Sequence, residues 1–243
     1  MIKLLILCEG NTDQILIGSY IENTTNWKYV SAMKSKPFEE KDINWYQKGS
    51  DFLGIWECGG YLFKQQIELI CKRERLEHEI QNLLIITDHD DSKAESERFE
   101  EVKNDLMCGL ESDDLGELAI NKWTIVHYDS AFGKAFCNVG YLLVPLDKQG
   151  ALETFMLDAL SQNREGALDT IKQVEKFIQN YKSEIYLQKR RDRIKAKLGI
   201  SLSVFNPDKC FRIMKEIIDS VEWGKLDLSD SQFKMIKDCL DKY

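Results

Sequence analysis

Two stretches of sequence decide the fold: Ile2–Cys8 (IKLLILC), which runs into EGNTD at residues 9–13, and LLIIT at residues 83–87, which runs into DHDD at residues 88–91. Short apolar runs bounded by turn residues are typical of strands in a parallel sheet, which helices cover on both faces. The carboxyl ends of such strands meet at one edge of the sheet, where sites form. We therefore expect both acidic segments to lie at that edge.

The acidic residues at this edge predict a cation site. Carboxylates brought together by two neighbouring strands repel one another unless a cation lies among them. Because all of the available ligands are oxygen atoms, a hard divalent ion suits them best. The sequence therefore predicts that the chain binds Mg²⁺ or Mn²⁺.

Composition limits the class of protein. The chain has 243 residues, of which 43% are hydrophobic, enough for one sizeable core or for a core with a smaller helical appendage. No apolar stretch approaches the roughly 20 residues of a membrane helix, and the first apolar run is too short for a signal peptide. The seven cysteines are scattered without a C-x-x-C pair, which argues against disulfides and zinc. We expect a cytoplasmic protein with no membrane contact.

Charge bears on the choice of partner. A net charge of −8 and a pI near 5.1 disfavour nucleic-acid binding through a broad basic face. Basic residues nevertheless cluster in one short segment, and a local basic stripe can contact phosphates. From this segment the sequence predicts four nucleic-acid-binding residues: Lys189, Arg190, Arg193 and Lys195.

Alternating strands and helices predict an α/β fold with a mainly parallel sheet flanked by helices. Further strands are predicted at residues 27–33, 52–58, 123–127 and 139–146, and helices at 12–23, with Thr12 as N-cap, 62–78 and 93–108. The polar residues 34–50 are predicted to be a surface excursion.

The pattern changes after residue 147. Only helices are predicted there, at residues 152–160, 167–181, 182–198, 207–221 and 229–240. The sequence thus predicts an α/β core at residues 1–147 and a helical extension at 148–243, packed on or next to the core.

The order of motifs resembles a known family. A strand followed by Glu9-Gly10-x-x-Asp13, then a later strand followed by Asp88-x-Asp90, resembles the TOPRIM fold of topoisomerases, primases and OLD-type nucleases. The segments GALETF at 150–155 and IKAKL at 194–198 resemble later segments of small stand-alone OLD-like TOPRIM proteins. The clear match covers residues 2–146. The chain lacks a G-x-x-x-x-G-K-S/T phosphate loop, so this TOPRIM part would stand without an ATPase segment.

The resemblance implies a TOPRIM-like core and a Mg²⁺-dependent nuclease, or another phosphodiester-transfer enzyme of the OLD-like kind. It implies that Asp88 and Asp90 hold a divalent ion beside Glu9, which is a metal ligand or a general acid/base. Asp13 would be a further ligand, and Glu153 would complete a second metal site.

The resemblance also implies a catalytic Lys197, which would neutralise the charge of the reacting phosphate. The implied partner is nucleic acid, with DNA expected, and a protein partner or a homodimer stays open.

Other interpretations compete with this one. Glu153 fits equally well as an acidic residue in the first turn of a helix, and Lys197 fits a solvated basic face. A noncatalytic TOPRIM-like module that binds metal or a nucleotide and regulates a partner is favoured by the acidic pI. A phosphoryl-receiver domain fits poorly because Gly10 directly follows Glu9 and the paired acids come only later.

Overall fold

A computed structural model of the protein describes residues 1–31, 42–59, 63–77, 79–89, 92–112, 115–145, 150–163, 165–182, 185–209 and 233–243. The strands are β1 Ile2–Cys8, β2 Lys28–Tyr29, β3 Ile43–Lys48, β4 Asp51–Glu57, β5 Asn82–Asp88, β6 Lys122–Ser130 and β7 Gly133–Val144. The α-helices are α1 Asn11–Thr24, α2 Lys64–Glu77, α3 Ser92–Leu110, α4 Leu152–Asn163, α5 Ala167–Asn180, α6 Arg190–Phe205 and α7 Lys234–Leu240. A short 3₁₀-helix covers Pro207–Lys209.

One seven-stranded sheet has the order β2-β3-β4-β1-β5-β7-β6. Its four central strands, β4, β1, β5 and β7, are parallel, and the outer strands β2, β3 and β6 pair antiparallel with their neighbours. The predicted α/β class with a mainly parallel sheet is confirmed. Because Leu7 of β1 lies opposite Ile85 of β5, the two strands end side by side.

Helices cover both faces of this sheet. Alternate residues of β1 point to opposite faces, so that Leu4 and Ile6 join one apolar cluster and Leu5 and Leu7 join the other. Helix α1 packs on the first face, and α2 and α3 pack on the second. Burial on both faces explains why residues 4–8 of β1 and 83–86 of β5 are continuously apolar rather than alternating.

The predicted C-terminal helical extension is also confirmed. Leu152 of α4, Leu198 of α6 and Ile236 of α7 lie in the same apolar cluster as α1 and β1. Helices α4 and α6 therefore lie on the same face of the sheet as α1. None of the helices in the described ranges is both long and apolar enough to cross a membrane.

Several predicted elements differ from the observed ones. Part of the predicted surface excursion is the strand β3, in which Ile43 and Trp45 are buried; its polar neighbours obscured the strand pattern. The N-cap of α1 is Gly10 rather than Thr12. The strand predicted at 123–127 lies within β6, and residues 139–144 of the strand predicted at 139–146 lie within β7. The two form a long antiparallel hairpin, because a tight turn at Gly133 joins β6 directly to β7.

The helix predicted at 182–198 begins only at Arg190, and the last helix begins at Lys234. Most of the helix predicted at 207–221 lies outside the described residues.

Candidate functional site

Glu9 directly follows β1 and is held rigidly. Its side chain is 4% exposed, and Oε1 accepts a hydrogen bond from the backbone N–H of Asp88, with an N···O distance of 3.0 Å. Nη1 of the buried Arg98, on α3, lies 3.2 Å from the same oxygen and forms an ion pair with it. Charge-assisted hydrogen bonds of this kind fix a carboxylate in both position and orientation.

Asp13 is the third residue of α1 and is buried beside two other carboxylates. Its Oδ2 accepts a hydrogen bond of 2.9 Å from the backbone N–H of Gly10, which satisfies one of the donors at the start of the helix. Burial and the negative charges of Glu153 and Glu9 raise the pKa of Asp13 from 3.8 to about 7. The Gly10 hydrogen bond and Lys195 act in the opposite direction without offsetting these effects.

Glu153 reaches the same place from α4. It is only 2% exposed, and its Oε1 lies 3.5 Å from Nζ of Lys195, on α6. This contact is an ion pair without hydrogen-bond geometry, and within the described part of the chain the oxygen has no hydrogen-bond partner. A buried acceptor without a donor is unfavourable. A cation near this oxygen would therefore stabilise it.

Asp88 is the last residue of β5 and is also buried. Its backbone amide reaches Glu9, so the carboxyl ends of β1 and β5 are tied together. The predicted ligand Asp90 and its neighbour Asp91 lie outside the described residues. Across the ranges that the structure describes, no three Asp, Glu, His or Cys side chains are arranged to hold a metal ion.

The carboxylate cluster is defined here as Glu9, Asp13 and Glu153, whose charges act on one another, together with Asp88, whose backbone N–H bonds to Glu9. Its chemistry still fits a hard divalent cation. Every donor is a carboxylate oxygen, which Mg²⁺ and Mn²⁺ prefer. Oε1 of Glu153 accepts no hydrogen bond within the described residues, and burial with the charges of Glu153 and Glu9 raises the pKa of Asp13, so a cation bound here would stabilise both carboxylates. The described side chains offer oxygen donors, although no three of them are arranged as a metal-ligand group.

His89 anchors the segment that follows β5. Its Nδ1 lies 2.6 Å from the carbonyl oxygen of Pro145, and because a carbonyl can only accept, Nδ1 carries a proton. Nε2 lies 3.4 Å from Oε1 of Glu95, on α3. The backbone N–H of His89 donates to Val144 O, and its carbonyl accepts from the N–H of Gly150. These contacts tie the end of β5 to the last residue of β7 and to the segment that follows it.

The two lysines of IKAKL lie in different environments. Nζ of Lys197, the predicted catalytic lysine, lies 3.0 Å from Oε2 of Glu175, on α5. Lys195, predicted from its charge to contact nucleic acid, is the lysine beside Glu153. Since residues two apart on a helix point about 200° away from each other, only one of these lysines can face the carboxylate cluster.

The other predicted nucleic-acid-binding residues, Lys189, Arg190 and Arg193, are exposed at the start of α6. Sequence reasoning missed Arg98 and Glu95. Both occur in a helix whose sequence, SKAESERFEEVKNDLMCGL, is crowded with charged residues. Nothing in such a pattern separates two buried charges from the solvated ones.

Comparison with known proteins places the chain in a family. The model of the family described as "Protein of unknown function (DUF3226)" matches residues 3–242. The chain belongs to the DUF3226 family. The DUF3226 match extends over the sheet, the carboxylate cluster and the C-terminal helices.

One solved structure similar to this DUF3226 chain is described as "Crystal structure of hypothetical protein PH0156 from Pyrococcus horikoshii OT3". The similarity covers 98% of this chain and 99% of that chain, with 13% sequence identity and a TM-score of 0.44. Among curated proteins, none matches the chain.

Proposed function

We propose that this protein is a divalent-metal-dependent nuclease of the OLD-like TOPRIM kind, which hydrolyses phosphodiester bonds with Mg²⁺ or Mn²⁺. The observation that carries the proposal is a group of buried acidic residues from different elements. Asp13 in α1 lies beside the charges of Glu153 in α4 and Glu9 after β1, and Asp88 at the end of β5 bonds to Glu9 through its backbone N–H. Carboxylates are kept together in this way when a cation offsets their repulsion.

The carboxylate cluster would hold the ion, and Asp90 is added to it on the evidence of the sequence alone. A divalent ion there would polarise a phosphoryl oxygen and make a nearby water more acidic. Arg98 and the backbone N–H of Asp88 keep Glu9 in one position. Preorganised charges in a site with little water act more strongly than the same charges in solvent.

Lys195 is the residue that we assign to the phosphate. Its side chain is 40% exposed while Nζ lies 3.5 Å from Glu153, so it borders both the carboxylate cluster and the solvent. From this position its ammonium group can donate hydrogen bonds to a phosphate oxygen and neutralise the charge that develops as the bond breaks. This assignment replaces Lys197, which pairs with Glu175.

Two alanine substitutions compare these lysines directly. We expect Lys195→Ala to lower the cleavage rate at saturating substrate by about 100-fold, the usual effect of removing one transition-state donor. We expect Lys197→Ala, which removes the same charge from the same helix, to stay within about threefold of the wild type. Single-turnover cleavage rates measure both. A larger loss of cleavage rate in Lys197→Ala than in Lys195→Ala would instead assign the phosphate contact to Lys197.

A noncatalytic metal- or nucleotide-binding module is the second candidate. One observation favours it: the net charge of −8, which disfavours binding to a polyanion such as nucleic acid. In this case the carboxylate cluster would bind the ion without acting on a phosphodiester, and the protein would act on a partner.

Cleavage assays separate the two candidates. The purified protein is incubated with plasmid, linear single-stranded DNA or RNA in Mg²⁺, Mn²⁺ or EDTA, and Mn²⁺ binding is measured in parallel. Cleavage that requires the metal is the result expected of the nuclease. Mn²⁺ binding without cleavage of any substrate would favour the noncatalytic module, and a lack of Mn²⁺ binding would contradict both candidates.

A further inference from the structure

The connection between α5 and α6 carries an exposed apolar surface. Phe177 and Tyr181, at the end of α5, are 57% and 42% exposed, and their ring centroids lie 6.0 Å apart. Ile185 and Tyr186, which precede α6, are 78% and 66% exposed. Contiguous exposed apolar side chains on a polar surface indicate an interaction site.

Basic residues border this surface. Residues 181–197 contain seven Lys or Arg and only two Asp or Glu, in a chain whose net charge is −8. Arg190 and Arg193 are exposed, and Nε of Arg193 donates a 2.7 Å hydrogen bond to the carbonyl of Leu187. This bond holds the start of α6 against the segment that carries Tyr186. We call the set Phe177, Tyr181, Tyr186, Arg190 and Arg193 the α5–α6 corner.

A cleft adjoins this corner. It lies between α4, α5 and α6 and has a volume of about 520 Å³. Arg190 and Arg193 line it, and so does Thr154, which directly follows Glu153. Lys195 is only five residues beyond Arg190, or about 7 Å along the helix axis, but it points away from the side of α6 on which Lys197 lines the cleft.

We infer that the α5–α6 corner binds single-stranded nucleic acid. That the bound strand is then cleaved rests on the proposed function, whereas binding at the corner does not. Bases of a single strand are available to stack on aromatic side chains, while those of a duplex are already stacked on one another. Arg190 and Arg193 contact the phosphates.

Charge favours this occupant over a second copy of the chain. In a two-fold interface the same surface meets itself, so two corners rich in Lys and Arg would face each other. Juxtaposed like charges are unfavourable by several kcal/mol. A nucleic-acid single strand can place its phosphates beside the Lys and Arg side chains and stack its bases on the aromatic rings.

Binding without metal tests the inference separately from cleavage. Fluorescence anisotropy in EDTA, with the Asp88→Asn protein, measures the affinity for labelled single-stranded DNA, single-stranded RNA and duplex DNA 20-mers. We expect tighter binding to the single strands than to the duplex, with the DNA and RNA arms showing which sugar is preferred. Tyr186→Ala and Phe177→Ala should each weaken single-strand binding about tenfold. The matched control is Phe132→Ala, because Phe132 is 82% exposed on the β6–β7 turn and should not affect binding.

The salt dependence tests the phosphate contacts. Arg190→Gln should reduce the slope of log affinity against log salt concentration by about 0.7, the value for one phosphate contact on a single strand. Equal affinity for duplex and single strand, or wild-type affinity in both aromatic variants, would overturn the inference. A change of oligomeric state in Tyr186→Ala, seen by sedimentation, with affinity unchanged would overturn it in favour of a contact between copies. Single-strand binding without metal-dependent cleavage would contradict the proposal of a nuclease but support binding at the α5–α6 corner.

Discussion

Replacing Asp88 with Asn is expected to lower metal-dependent cleavage by more than about 100-fold while the fold stays intact. Asparagine keeps the shape of the side chain and the backbone N–H that donates to Glu9, but it removes the negative charge that attracts the ion. Because it also removes a charge repelled by its neighbours, the metal-free variant should be no less stable than the wild type. Cleavage rates in Mg²⁺ and Mn²⁺, together with thermal unfolding in EDTA, measure both effects.

The matched control for Asp88→Asn is Asp129→Asn. Asp129 is an exposed residue of β6 that pairs with Lys134, so the same chemical change there should leave cleavage and metal affinity unaltered.

Asp90→Asn carries the same expectation as Asp88→Asn, on the evidence of the sequence. Glu9→Gln should lose turnover even where the metal still binds. Wild-type cleavage by Asp88→Asn would remove Asp88 from the chemistry.

Replacing Asp13 with Asn is expected to stabilise the metal-free protein at pH 8. Folding raises the pKa of Asp13 from 3.8 to about 7, through burial first and then the charges of Glu153 and Glu9. An acid with a raised pKa takes up a proton on folding, so its contribution to stability is present below about pH 4 and is lost as the pH rises to about 7. The loss amounts to at most about 4 kcal/mol.

Chemical unfolding in EDTA between pH 4 and pH 8 measures this effect. The free energy of unfolding of the wild type should fall over this range, and that of Asp13→Asn should fall less. The Asn variant can still accept the hydrogen bond from Gly10, so the start of α1 is preserved. When Mg²⁺ replaces EDTA at pH 8, the free energy of unfolding should rise more for the wild type than for Asp13→Asn. If the free energies of unfolding of the two proteins changed with pH in parallel, folding would not raise the pKa of Asp13.

Much of the fold was predictable because strong local patterns and global packing agree. The apolar runs of β1 and β5 are buried on both faces, and they end in polar turns, which is the pattern of central parallel strands. The strand β3 was missed because Asn44, Gln47 and Lys48 interrupt its apolar residues. The hairpin of β6 and β7 was missed because the sequence alone did not show that the exposed residues around Gly133 continue both strands.

Strand and turn patterns predicted the candidate site only where its residues follow strand ends, whereas Glu153 was implied by the resemblance to TOPRIM proteins. Glu9 and Asp88 come directly after or at the end of buried strands, so topology alone brings them to one edge of the sheet. Arg98 and Lys195 approach that edge from helices distant in sequence. No local pattern reports such contacts.

The sequence by itself determined the α/β class, the sheet edge at which the first acidic residues gather, and the helical character of the last third, because short-range periodicity and turn chemistry encode these features. Only the tertiary structure decided that Arg98 clamps Glu9, that Lys195 rather than Lys197 faces Glu153, and that Asp13 shares its burial with two other carboxylates. The physical reason is that electrostatic partners are set by distance and burial in three dimensions, and both depend on how helices pack across the sheet.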